Sequence, residues 1–127
     1  MSRSRQTAEA FGRWAERLAQ LWLLAKGYQL LDHRAVTAAG EIDLIARRGE
    51  YLAFVEVKAR ADIAQARSSL SVRQRGRIER AASLWLARHP RFSDHFMRYD
   101  LFLVAPWCWP RHERAAWLPD DRARDLL

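Results

Sequence analysis

Apolar residues recur at helical spacing near the start of the chain, at Phe11, Trp14, Leu18, Leu21, Trp22 and Ala25. This rhythm predicts an amphipathic helix over 7–26 with that bulky stripe buried, stopped by Gly27 and with Lys26 well placed in its last turn. The period then changes. Residues 28–34 read as a strand and 37–40 as a turn; two runs rich in branched and aromatic residues follow, 42–46 and 51–58, joined by the turn-like 47–50. A β-hairpin is expected there. The pattern lapses over 59–70, which reads as a loop. Ser71 then offers an N-cap to a helix that runs to His89 and is ended by Pro90, with Ile78, Ala81, Ala82 and Trp85 as its buried stripe. Residues 96–104 form a near-continuous apolar strand suited to a sheet interior, PWCWP at 106–110 is a turn, and 115–118 would add an edge strand. The order is helix, three strands, helix, strand and a last short strand, an α/β pattern.

At 127 residues the chain suffices for one domain with a single core, and half of it is hydrophobic. Residues 1–6 are polar and basic and are expected to be a mobile arm, while the charged tail 119–127 receives no assignment. Charge narrows the partners. Lysine plus arginine number 22 against 15 acids, a formal charge of +7, and the pI is near 10.7. Such an excess favours a polyanion such as nucleic acid. All the cations except Lys26 and Lys58 are arginines, a uniformity that genome base composition would also produce. The single cysteine, Cys108, excludes an intrachain disulfide and a cysteine-rich zinc site. Without a signal peptide or a long apolar run, a cytoplasmic protein with no membrane association is expected. A Gly-rich phosphate loop is absent, so no nucleotide cofactor is expected either.

Candidate chemistry lies in the central block GEIDLIARRGEYLAFVEVKAR, from Gly40 to Arg60. Alternation along a strand puts Phe54, Glu56, Lys58 and Arg60 on one face and Ala53, Val55 and Val57 on the other. Asp43 sits among apolar residues, where an ionised carboxylate is costly to bury unless a positive group, Lys58 or a metal ion, is beside it. Glu56 and Lys58 are separated by roughly 6.6 Å along a strand, so both reach one small volume, and Asp43 can join them from the neighbouring strand. Two carboxylates and an ammonium suit a hard divalent cation such as Mg²⁺. The chemistry that follows is phosphodiester hydrolysis, with Lys58 orienting or helping to deprotonate the attacking water. A solvated salt bridge between Glu56 and Lys58 is the competing reading. Glu41 shares the strand face of Asp43 and is either a supporting acid or a ligand. Gln74 stands three residues after Ser71, the spacing of a capping box.

The pair Ile42-Asp43 and Glu56-Val57-Lys58 resembles the PD-(D/E)xK nuclease signature. Around it, Gly12 and Glu16, Gly27-Tyr28, GEIDLIA, FVEVKAR, the basic helix with Ala81-Ala82, and Arg98-Tyr99-Asp100 together resemble the YraN-like family, which is related to archaeal Holliday junction resolvases. The resemblance implies a restriction-endonuclease-like mixed β-sheet flanked by helices. It implies a Mg- or Mn-dependent endonuclease acting on DNA, including branched or junction DNA, or an inactive nucleic-acid-binding module of the same fold. Asp43, Glu56 and the Val57 carbonyl would hold the metal, and Lys58 would position water. Glu16, otherwise a surface glutamate, would complete the cluster from the first helix, with Gly12 allowing close approach. Gln74 acquires an auxiliary role as the alternative to capping.

Eight arginines and only two acids, Asp62 and Glu79, lie between Arg60 and Arg91, so Arg60, Arg73, Arg75 and Arg77 are expected to meet phosphates. Arg34 would meet a phosphate or brace Glu41. Asp100 reads as a strand cap or a partner for Arg98. Trp107 and Trp109 either cover a core edge or stack on an unpaired base. A homodimer would place two sites on the two strands of a junction.

Overall fold

The computed structural model describes residues 3–119. Helix α1 (Arg3–Ala25) is followed by strands β1 (Gln29–Thr37), β2 (Gly40–Arg48) and β3 (Tyr51–Ala59). Helices α2 (Ile63–Ser68) and α3 (Val72–Arg88) and a short 3-10 turn (Pro90–Phe92) lead to β4 (Phe96–Val104) and β5 (Arg111–Trp117). The strands form one open sheet in the order β1-β2-β3-β4-β5. Neighbours are antiparallel except β3 and β4, which run parallel because the helical segment between them carries the chain back to the starting edge. This is a mixed sheet flanked by helices, of the restriction-endonuclease-like kind.

Each face of the sheet has its own core. On one side Ile42, Ile45, Leu52, Phe54 and Leu103 pack under α3 through Ile78, Ala82 and Trp85. On the other, Leu44, Ala46, Ala53, Val55 and Phe102 pack under α1 through Ala15, Ala19 and Leu23. The buried face of α1 therefore differs from the expected stripe. Trp14 is 55% exposed and Leu21 65%, while Phe11, Leu18 and Trp22 only flank the contact. Small residues on the helix meet Ala46 and Ala53 on the sheet, and close packing leaves the bulkier row outside.

Four further boundaries change. Residues 3–6 are helical, so the expected mobile arm is instead the first turn of α1 as far as it is described; residues 1–2 lie outside the described residues. So do residues 120–127 of the tail. The expected loop over 59–70 contains α2, capped by Asp62 Oδ1, which accepts from the Gln65 amide at 2.8 Å. Strand β5 starts at Arg111 and ends at Trp117. The hairpin turn between β2 and β3 has two residues, with Gly49 at φ +61 in the first of them, where a residue tolerant of positive φ is required.

Candidate metal centre at the end of the central strands

The backbone register between β2 and β3 runs from Arg48 opposite Tyr51 to Leu44 opposite Val55. At Asp43 the side chain takes over from the backbone: its Oδ2 accepts the Val57 amide at 2.8 Å. The sheet alternation breaks at the same place, because Ile42 and Ile45 both enter the α3-side core while Leu44 enters the other. The break frees Asp43 to turn toward the end of β3. It meets Glu56 there, which is 8% exposed. Lys58 Nζ lies 3.4 Å from Glu56 Oε1. The expected convergence of Asp43, Glu56 and Lys58 is present.

Both carboxyls are driven toward protonation. Burial raises Asp43 above the ordinary aspartate range, against the Val57 amide, which lowers it; the charge of Glu16 raises it further, while Lys58 and a hydrogen bond from Glu56 oppose. Glu56 is pushed up to about 8 by burial and then by the adjacent charge of Asp43, with Lys58 only partly compensating. Two acids in contact cannot both ionise cheaply in such a site. Of the two, Glu56 is the one displaced furthest, into the range where it still holds its proton at neutral pH.

Glu16 stands close enough to act on Asp43, but its carboxylate is occupied by Arg34, whose Nε donates to Oε2 at 3.0 Å. Among the described residues no three His, Cys, Asp or Glu side chains converge as a metal cluster. Glu16 also lines a cavity of about 400 Å³ together with Gly12, Val57, Lys58 and Arg60. Arg60 is exposed at its rim. A Cβ on Gly12 would meet open space, so Gly12 shapes this cavity rather than permitting close helix approach. Arg34 itself sits at φ +47, just beyond the bulge in β1 between Leu30 and Asp32.

The remaining expectations divide. Gln74 Oε1 accepts the Ser71 amide and Ser71 Oγ accepts the Gln74 amide, both at 3.1 Å, so the capping box is formed. Glu41 is exposed, and the groups acting on Asp43 are Val57, Glu16, Lys58 and Glu56. Arg73 and Arg77 are exposed, with Arg77 also folded over Gly40, whose φ is +132. Arg75 does not face outward. Its guanidinium lies 6.0 Å from the Trp117 ring centre and its Nε is buried without a hydrogen-bond partner among the described residues.

A second buried acid escaped full reading from sequence. Asp100, fully buried, accepts two bonds from Arg98 at 2.9 and 2.8 Å, one from His112 at 2.8 Å and one from the Ala115 amide at 3.0 Å. Pairing with Arg98 was legible; the contributions of His112 and Ala115 depend on β5 folding back. A broad concavity of about 880 Å³ lies on the α3 side and is lined by Leu84, Met97 and Tyr99 among others. It contains none of the dyad.

A family model for the uncharacterised protein family UPF0102 matches residues 15–104. The chain belongs to this family. It is 67% identical over 129 residues to a UPF0102 protein of Maricaulis maris, with 100% of both chains covered. It is 50% identical to one of Paramagnetospirillum magneticum, covering 94% of this chain and 95% of the relative, and 50% identical to one of Methylorubrum extorquens, covering 85% and 84%. The matched region contains every proposed metal-site residue and ends with β4. No helix among the described residues is long and apolar enough to cross a membrane.

Proposed function

We propose that this protein is a divalent-metal-dependent endonuclease that hydrolyses phosphodiester bonds in DNA, including branched DNA. The observation that carries this reading is the pairing of half-buried Asp43 with buried Glu56, held in contact with Lys58 beside a cavity rimmed by Arg60. The donor set fits Mg²⁺ or Mn²⁺: two carboxylates with an unmet demand for positive charge. Asp43, Glu56 and the Val57 carbonyl would hold the ion, which when bound supplies positive charge to the scissile phosphate and acidifies its water. Asp43 also fixes the Val57 backbone through its amide. Lys58 orients the attacking water, and Arg60 steadies the adjoining phosphate. Glu16 would join once a phosphate competes for Arg34. A homodimer would present two such sites to a junction.

The test is Mn²⁺-dependent cleavage of duplex and four-way-junction DNA by wild type, Glu56→Ala and Lys58→Ala. Wild type should cut, and each variant should be slower by about 10²-fold or more. Equal cutting by all three would rule out this site. The pairing of Glu16 with Arg34, away from the dyad, favours a second reading as a non-cleaving nucleic-acid-binding module. Salt-sensitive binding in chelator, never followed by cleavage with either metal, would select it.

A further inference from the structure

A second cavity, about 340 Å³, lies on the α1 side of the sheet and is lined by Trp22, Lys26, Tyr28, Arg48, His112 and Arg114. Its Arg48 end is level with Tyr51 at the start of β3, while His112 on β5 is level, through Phe102, with Val57. From Tyr51 to Glu56 is about 17 Å at roughly 3.3 Å per residue. The lining is cationic and aromatic. Lys26 Nζ lies 5.6 Å from the Trp22 ring centre and the Arg48 guanidinium 4.9 Å from that of Tyr28. Arg48 is also fixed by donating to the Lys26 carbonyl at 3.1 Å, which answers an acceptor left open where α1 ends. The Arg98 guanidinium lies 5.7 Å from the Tyr28 ring centre and donates to the tyrosine hydroxyl.

No carboxylate lines this cavity. Asp100 touches it only through His112 and is already matched by Arg98. Lys26, Arg48 and Arg114 have no carboxylate partner among the described residues. Three cations without a carboxylate partner among the described residues surround one concavity, two of them held against aromatic rings, and form a preorganised receptor for a compact, multiply charged anion.

We propose that this cavity binds a phosphate group, through Lys26, Arg48 and Arg114. The ligand is either a free phosphate compound or a backbone phosphate of bound nucleic acid. The proposal depends on this cavity's own charges and stands whether or not the dyad cleaves.

The experiment titrates inorganic pyrophosphate, and separately a duplex longer than this span, into the full chain in chelator. Calorimetry gives the affinity and the Trp22 indole resonance, assigned with Trp22→Phe, gives the location. Expected is saturable pyrophosphate binding in the millimolar range or tighter that moves the Trp22 signal. It should weaken at least about tenfold in Arg48→Gln/Arg114→Gln and persist in Glu56→Gln. The single variant Arg114→Gln, an exposed side chain, serves if the double variant does not fold. A duplex that moves the same resonance and is displaced by pyrophosphate identifies the backbone as the source; a Trp22 signal moved by pyrophosphate alone identifies a free phosphate compound. Absence of saturable binding, or binding equal in wild type and both Arg variants, overturns the proposal.

Discussion

Two buried acid sites share one sheet and are treated oppositely. Asp100 receives a bidentate guanidinium, an imidazole and a backbone amide. Burial alone would raise its pKa, but His112, Arg98 and the Ala115 amide together hold it below the ordinary aspartate range. Asp43 and Glu56 are given one backbone amide and one lysine between them, and both are raised. The difference is one of compensation. A fully matched buried charge can act as structural cement, whereas an undermatched pair stores a demand for positive charge that a cation can meet.

The sharpest test of that contrast removes one acid from each site. Asp100→Ala leaves Arg98 and His112 side by side without their anion, and should cost about 3–5 kcal/mol in urea unfolding. Glu56→Gln, measured in chelator, should cost nothing or stabilise the fold, because it replaces a poorly compensated acid by a neutral amide of similar shape. Comparable losses in the two variants would erase the distinction between cement and unmet demand.

The pH dependence separates the sites with opposite signs. Glu56 titrates near its usual 4.5 when unfolded but near 8 when folded. Between those values the folded chain holds a proton that the unfolded chain has released, so this contribution to stability is full below about 4.5 and is lost as pH rises through 8. The slope approaches about 1.4 kcal/mol per pH unit for one proton. Asp100, lowered in the folded state, contributes above 3.8 and loses that contribution as the solution is acidified. Urea midpoints across pH 2 to 9 in chelator should therefore fall on the alkaline side in wild type and flatten there in Glu56→Gln, with the acid limb below 3.8 unchanged. An alkaline limb that survives Glu56→Gln would place the titrating proton elsewhere.

How much of this was legible in the sequence follows the range of the interactions. The β-hairpin, β4 and the Ser71–Gln74 cap were readable because alternation, apolar continuity and S-x-x-Q spacing are local. Asp43, Glu56 and Lys58 were readable as a group because two adjacent strands carry them. The buried face of α1 was misread, since bulk suggested Trp14 and Leu21 whereas the sheet beneath takes the row of Ala15, Ala19 and Leu23. Helix α2 has six residues, too few for periodicity to declare itself, although Asp62 and Gln65 carry a cap signal. The pairing of Glu16 with Arg34, and of Asp100 with His112, crosses between consecutive elements whose relative placement is set by the turn or loop between them. Helical or strand spacing has no means of encoding such contacts.

The smallest expected effect decides to which kind of site Gln74 belongs. Its amide oxygen is already engaged with the Ser71 backbone, and its own backbone amide with Ser71 Oγ, which is what a helix start requires. If that is its whole role, Gln74→Ala and Ser71→Ala should each cost up to about 1 kcal/mol of stability. The double variant should cost less than the sum, because the two bonds belong to one reciprocal box. Cleavage, corrected for folded protein, should stay within twofold of wild type in all three. A loss confined to Gln74→Ala, with Ser71→Ala fully active, would instead put the glutamine amide beside the dyad, as a group whose side-chain NH₂, not its carbonyl, serves the substrate.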